Sequence, residues 1–485
     1  MLIESCCMKK EIQQGITVKK SENFSEWYTQ TIIKSELADY TAVSGSIVYR
    51  PRSYSIWESI QKEVDKRLKK LGVQNAYFPL FIPEKYLMKE EDHVEGFSPE
   101  VAWVTHAGNS KLDERLAIRP TSETIMYPSY AKWIRSWKDL PLKLNQWNNV
   151  VRWEFKHAVP FLRGREFLWN EGHTVFAKRK EAEKEMKDII KLWDSFCSDY
   201  LALPSLVGQK SEKEKFAGAE YTWSTEFLMP NGKAIQGPDA HFDGKNFAKA
   251  FDINFLDENG DKQLPYQNTW AISTRMLGVM FAVHGDDKGL VIPPKIATEK
   301  IVIVPILFKN KSEDVLKFSK EIFKKLRKFS AVFDDRTEYS AGWKFNEWEL
   351  KGIPIRIEIG PRDVEKKQVV LVRRDTGEKE FVNISKVSER VTQLLDRIQS
   401  DMFERARKLL DNSIVSVSNI SDLKREVDSK KFGKANWCGN PSCEENIKGE
   451  TGAKSLNSEF DGKVTGKCFA CELESKFVTY FGKSY

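Results

Sequence analysis

Hydrophobic and polar positions alternate most tellingly between Val150 and Thr174, VVRWEFKHAVPFLRGREFLWNEGHT. Val150, Val151, Trp153 and Phe155 are β-branched or aromatic, the types that fit a pleated, half-buried surface, so a strand is predicted there. Arg152 and Glu154 stand two apart in it and so share one face. A loop with His157, Pro160, Arg163 and Arg165 leads into a second extended run, Glu166 to Trp169, which ends in Glu171-Gly172-His173. A hairpin with a cation and a carboxylate on one face, and arginines at its tip, suits a flat anion such as a nucleotide. On these residues alone, a solvated charge face on a surface hairpin accounts for the pattern equally well.

The rest of the chain parses by the same periodicities. Ile56, Ile60, Val64 and Leu68 recur every fourth residue, Ser55-Ile-Trp-Glu58 fits a capping box, and Gly72 is a natural stop, so a helix is predicted from Ser55. Asn75 to Ile82 reads as a strand, and Pro79 within it assigns that strand to a sheet edge. Leu116 to Glu123, LAIRPTSE, is a short strand followed by a helix start. Glu181 to Tyr200 is helical, and Ala234 to Phe251 begins as a strand and turns into a helix. Trp270 to Val283 reads as a buried helix whose lone Arg275 needs an anionic partner, since an unpaired buried charge is costly.

After Ile292-Pro293-Pro294 the style changes. The apolar strand Ile301 to Leu307, the basic helix Glu313 to Lys328 and strands near Ala331, Pro354 and Gln368 predict an α/β domain with a parallel or mixed sheet. A long helix, Val387 to Asp411, leads to a third unit. The expected division is a flexible extension over 1–20, an α+β domain on a mostly antiparallel sheet over 21–294, the α/β domain over 295–400 and a small α+β unit over 401–485.

Composition narrows the class. With 41% hydrophobic and 30% charged residues the chain is a globular protein, and no apolar run is long enough to span a bilayer. Lys plus Arg exceed Asp plus Glu by 77 to 70, compatible with a nucleic-acid partner without identifying one. The N-terminal residues lack the order of a secretory signal, and a cytoplasmic protein is expected. Four of the seven cysteines sit near the end as Cys438-x4-Cys443 and Cys468-x2-Cys471. Two close pairs joined by a longer loop fit tetrahedral thiolate coordination of a structural Zn²⁺, and in a cytoplasmic chain two disulfides explain them less well.

Taken together, the helix and proline strand (Ser55 to Pro79), the R-x-E pair (Arg152, Glu154) and the late arginine segment STRMLG (Ser273 to Gly278) resemble the three motifs of class II aminoacyl-tRNA synthetases. RPTSE (Arg119 to Glu123), REFLWNEGHT (Arg165 to Thr174), KFAGA (Lys215 to Ala219) and GDDKGLVIPP (Gly285 to Pro294) resemble the prolyl-tRNA synthetases of the archaeal and eukaryotic kind, from about Ser25 to Tyr485.

That resemblance implies activation of L-proline by ATP with Mg²⁺ and transfer to tRNA(Pro). In activation one anion, the amino-acid carboxylate, attacks another, the α-phosphate, so the site must supply cations and positioning rather than a base. The resemblance assigns Arg152 and Arg275 as the catalytic pair. It assigns Arg152, Glu154, Arg163, Gly164, Phe167, Gln236, Asp239 and Arg275 to ATP. To proline it assigns Thr121, Glu123, Arg152, Trp169, Glu171, His173, Phe216, His241 and Ser273. Phe345, Glu349 and Arg356 would read the anticodon, types that stack on and hydrogen-bond splayed bases. A homodimer through the helix and strand around 55–82, and the absence of a large editing insertion between Thr174 and Thr269, are also implied. The chain departs from the family at Gln236-Gly-Pro-Asp-Ala-His241, where Asp239 and Ala240 replace hydroxyl residues. The alternative reading is a synthetase-like tRNA-binding or regulatory protein without activation activity.

Overall fold

The computed structural model describes residues 15–91, 100–154, 157–308 and 312–485. Cys6, Cys7, most of the predicted N-terminal extension and Phe155 lie outside the described residues. By internal contacts the chain divides into two units.

The larger unit comprises Ala38–His284, Ile292–Thr298 and Thr392–Tyr485. It is built on an eleven-stranded sheet. In chain order its strands are β1 (Gln74–Asn75), β2 (Leu142–Val151), β3 (Glu166–Phe176), β4 (Leu206–Gln209), β5 (Tyr221–Leu228), β6 (Ala234–Gly244), β7 (Tyr266–Ser273), β8 (Ile414–Ser416), β9 (Phe432–Trp437), β10 (Lys454–Ser458) and β11 (Phe477–Gly482). In space they run β8-β9-β11-β10-β4-β5-β6-β7-β3-β2-β1, and only the two outermost pairings are parallel. The last four strands, predicted as a unit of their own from residue 401, thus continue the sheet of the first seven. The junction is a single antiparallel pair, Ser458 with Gln209. There the backbones come so close that a Cβ on Gly208 would lie 2.3 Å from the Ser458 carbonyl oxygen.

Four helices of this unit bear on the site: α1 (Pro51–Lys70), α2 (Glu123–Trp133), α3 (Arg179–Leu201) and α4 (Arg275–His284). α3 lays Met186, Ile189, Trp193 and Phe196 on the sheet, where Trp193 meets Trp270 of β7 edge-on. Between β3 and β7 lie only α3, β4 to β6, a one-turn helix and a short hairpin, so no separate domain is inserted there among the described residues.

Several sequence expectations shift. α1 starts four residues before Ser55, with Pro51 at its first position and no side-chain cap; the Ser55 hydroxyl instead donates to the Arg52 carbonyl. Proline is pre-organised for that first position, so the ring replaces the predicted box. Asn75 to Ile82 is not one strand: β1 ends before Pro79, and Phe81–Pro83 belongs to a separate three-stranded sheet. Both pieces lie at sheet edges, as the proline requires. Trp270 to Val283 is half strand and half helix, because an apolar run does not distinguish the two by period. The hairpin strand β2 begins eight residues earlier than predicted and ends at Val151, which leaves Arg152 and Glu154 in the loop beyond it.

The smaller unit comprises residues up to Leu37, Gly285–Val291 and Glu299–Val391. Its five strands form a mixed sheet around Ile301–Pro305, every residue of which is buried. The helix Phe24–Lys34 belongs here rather than to the larger unit; Trp27 donates its indole N–H to the Asp286 carbonyl. α5 (Ala341–Lys351) closes at Gly352 in the left-handed region, where a side chain would strike Leu290.

Candidate active site

The central strands β3, β5, β6 and β7, with the start of α2 and of α4, enclose a cavity of about 280 Å³. All nine residues predicted for the amino acid line it, from Thr121, Glu123 and Arg152 to His241 and Ser273. So do Phe167, Gln236, Asp239 and Arg275 of the nucleotide set. Arg163 lines a smaller adjoining chamber that shares Gln236 and Arg275 with the first and also receives Tyr485. Glu154 and Gly164 line neither. Glu154 is exposed in the turn after β2, and Gly164 packs its Cα against the Gly45 carbonyl. The shared-face argument for Arg152 and Glu154 therefore fails, because it required a strand that stops at Val151.

One end of the cavity is cationic. Arg152 donates to the Pro120 carbonyl at 3.1 Å, and its guanidinium lies 5.6 Å from the Phe167 ring and 5.4 Å from Trp169. Arg275 donates to the Gln236 carbonyl at 3.1 Å. Burial first, then the charges of Arg152 and Arg163, hold the Arg275 guanidinium below its usual range; Asp239 and Glu226 oppose that shift. The other end is acidic and aromatic. Thr121 donates to Glu123, and Phe216 packs on His241 with centroids 4.6 Å apart. His241 is 3.4 Å from Asp239 on one side and 2.9 Å from the Thr222 hydroxyl on the other, and Asp239 also accepts from Gln236 at 2.8 Å.

Beneath lies a buried polar layer. Glu171 accepts from Ser122 N at 3.1 Å, the Ser122 hydroxyl, Gln146 at 3.1 Å and Asn148 at 2.6 Å, and it pairs with His173 at 3.2 Å. Burial pushes the Glu171 carboxyl up, but His173 and these donors more than offset it and hold it below its usual range. Burial likewise pushes His173 down, and Glu171 with Glu123 raises it above its ordinary value. Gly172 between them is obligatory: a Cβ there would lie 2.2 Å from the Trp270 ring.

Gln146 and Asn148 were missed by the sequence reading, although polar residues at alternate positions of an apolar strand were the signal. Glu214, Thr222 and Thr269 also line the cavity; strand register brings Thr222 and Thr269 there on either side of His241, and Glu214 comes from the turn before β5. In the smaller unit Phe345, Glu349 and Arg356 come together. Arg356 lies 4.4 Å from the Phe345 ring and donates to Glu349 at 3.1 Å and to Glu358 at 2.9 Å.

The four C-terminal sulfurs lie within 4.8 Å of one another, with Cys438 to Cys471 at 3.5 Å and Cys443 to Cys468 at 3.8 Å. Tetrahedral Zn–S bonds of about 2.3 Å put sulfurs roughly 3.8 Å apart, so the residues fit that metal. Burial, with the neighbouring thiols, pushes Cys438 up to about 11 despite the N–H of Asn440. Four thiolates so close together need a cation's charge.

A sheet carrying such a cavity, with arginines at one end and a carboxylate at the other, defines a class II aminoacyl-tRNA synthetase core. Residues 103–284 match the family described as tRNA synthetase class II core domain (G, H, P, S and T), and residues 300–394 match the anticodon binding domain. Residues 420–485 match the family described as prolyl-tRNA synthetase, C-terminal. A proline–tRNA ligase 2 of Bacillus cereus is 49% identical over 99% of this chain and 100% of its own, and a proline–tRNA ligase of Natranaerobius thermophilus is 47% identical over 96% and 97%. The crystal structure of prolyl-tRNA synthetase from Cryptosporidium parvum, complexed with halofuginone and AMPPNP, superposes with a TM-score of 0.94 at 46% identity, over 97% of this chain and 100% of that one. The chain belongs to the prolyl-tRNA synthetase family.

Proposed function

We propose that this chain activates L-proline with ATP and transfers it to tRNA(Pro), giving prolyl-tRNA, AMP and diphosphate. One observation carries the reading: Arg152 and Arg275 line a cavity that also presents Glu123, and Arg163 lines the chamber that adjoins it at Arg275. Clustered guanidiniums repel until anions enter, and a proline carboxylate and an ATP triphosphate are two anions that must be held together. The ring would lie among Trp169, Phe216 and His241, with its ammonium toward Glu123 and Thr121 and its carboxylate on Arg152. Phe167 and Glu154 would take the adenine, with Glu154 reaching it only if the loop after β2 moves inward. Arg163, Gly164 and Arg275 would hold the phosphates. The carboxylate oxygen then attacks the α-phosphorus in line and diphosphate leaves, with no base required. In the second step a ribose hydroxyl at the tRNA terminus attacks the activated carbonyl and AMP leaves.

Mg²⁺ is expected to accompany the triphosphate, and Gln236 and Asp239 offer oxygen donors of the kind it takes. Zn²⁺ held by Cys438, Cys443, Cys468 and Cys471 would be structural, with no position left for a substrate. Phe345, Glu349 and Arg356 would meet the anticodon. The exposed Tyr77 and Phe81 support a homodimer through the helix and strand around 55–82. No helix of the described residues is long and apolar enough to cross a membrane, and we assign the enzyme to the cytoplasm. ATP–diphosphate exchange with each amino acid in turn tests the reading: exchange should depend on proline. Exchange with none, alongside intact binding of tRNA(Pro), would leave the RNA-binding alternative standing.

A further inference from the structure

A second cavity, of about 750 Å³, lies over the seam where β4 meets β10 and shares no lining residue with the candidate active site. Its volume is in the range of small-molecule sites. One wall is a single face of α3: Lys187, Ile190, Lys191 and Asp194 follow one another at helical spacing. The floor is Val207 and Gln209 of β4 and, paired with Gln209 in register, Trp223 of β5. The far wall is the loop Glu459 to Val464 that follows β10. Phe460 at its tip meets Trp223 edge-on at 4.7 Å and is still 46% exposed.

The charges around this aromatic floor are unequal. Lys187, Lys191 and Lys476 line the cavity and none forms an ion pair among the described residues. Of the carboxylates, Glu459 is paired with Lys434 at 2.6 Å and accepts from Tyr480, while Asp194 accepts from the Ser205 hydroxyl at 2.8 Å and keeps its charge. Three cations thus face two carboxylates that have no cation partner among the described residues, Asp194 and Asp461, across an apolar bed, a net positive lining. Aromatic residues left partly open beside such lysines match a ligand with a flat apolar body and a negative end.

We propose that this cavity binds an aromatic anion, a ring system of about two fused rings bearing a carboxylate, sulfonate or phosphate. Its rings lie against Trp223 and Phe460 and its charge is directed to Lys187 and Lys191. Because the floor spans β4 and β5 while the lid follows β10, the ligand ties the cysteine-bearing end of the chain to the sheet that carries the candidate active site. That junction already holds the Ser458–Gln209 pair, Asn457 donating to Leu206 and Ser224, and the Lys213–Glu445 and Lys454–Glu214 ion pairs, and the ligand would add to them.

Anilinonaphthalene sulfonate has this chemistry and reports its own binding by fluorescence. Titrated into the full-length protein it should show a saturable site that also raises the thermal unfolding midpoint. The double substitution Lys187→Glu/Lys191→Glu and the single substitution Phe460→Ser, all at exposed positions, should each weaken that site about tenfold or more, some 1.4 kcal/mol per tenfold. Lys187→Arg/Lys191→Arg should retain it, and Asp461→Asn should tighten it. Absence of a saturable site, or a site indifferent to both charge reversal and Phe460→Ser, would overturn the proposal.

Discussion

Replacing Glu171 with glutamine tests whether this carboxylate supports the cavity or serves as a direct contact. It lines the space, yet both its oxygens are already occupied by protein donors. Oε1 accepts from the Ser122 hydroxyl, Gln146 and Asn148, while Oε2 faces Ser122 N and His173. An amide nitrogen in place of either oxygen opposes donors that are not free to turn. Gln146 keeps its own oxygen on Phe78 N, and Asn148 keeps its oxygen on the Trp169 indole at 2.7 Å, so flipping either amide breaks a second bond. The Ser122 N–H on the other side is fixed by the start of α2. Hydrogen bonds to a charged group are worth about 1.5–3 kcal/mol each, and breaking one partner of a buried pair costs about 3–5 kcal/mol. Glu171→Gln should therefore destabilise the larger unit by about 3–5 kcal/mol, read by urea unfolding followed through tryptophan emission. At temperatures where it stays folded, the proline KM should rise through loosened Trp169 and His173. A variant within about 1 kcal/mol of the parent in stability, but with a tenfold higher proline KM, would refute the reasoning and make Glu171 a direct ligand.

Other outcomes follow from the same geometry. Asp239→Thr removes the carboxylate beside His241 and Arg275 and should change the KM for proline or for ATP by about three- to tenfold, or roughly 0.7–1.4 kcal/mol; exchange kinetics with both KM values unchanged would exclude that contact. Cys443→Ser should lower bound zinc, measured by metal analysis, and make the region after residue 420 sensitive to protease, because the sulfur cluster anchors the strands that extend the sheet. For the buried Glu171–His173 pair the signs differ. Glu171, depressed, contributes stability above its unfolded value near 4.3 and loses it as pH falls through its folded value. His173, raised, contributes fully below its unfolded value near 6.5 and loses that contribution as pH rises through its folded value. The thermal unfolding midpoint should thus fall as pH rises above about 6.5, and His173→Asn should flatten that limb.

What could be read from residues alone depended on how far each signal travels along the chain. Local signals were legible: α3 and the switch from β6 to its following helix announce themselves in apolar spacing and glycine, and the paired cysteines announce the sulfur cluster. Register across strands was not. Thr222 reaches the cavity because β5 pairs Thr222 with His241, and no spacing between positions 222 and 241 encodes that pairing. The R-x-E pair shows the same limit in reverse. Its two-residue spacing suggested one face of a strand, but β2 stops at Val151 and the loop sends Arg152 into the cavity and Glu154 out to solvent. Which distant segments share one sheet was equally hard to read. Residues 454–458 look like a remote module by position, yet their backbone joins β4 because Gly208 has no side chain to hold it away. The absence of a side chain at position 208 is therefore one condition for the close approach of β4 and β10. A Gly208→Val substitution would place its added carbons where the Ser458 carbonyl now lies, so the two halves of the sheet have to part or the residue cannot be accommodated.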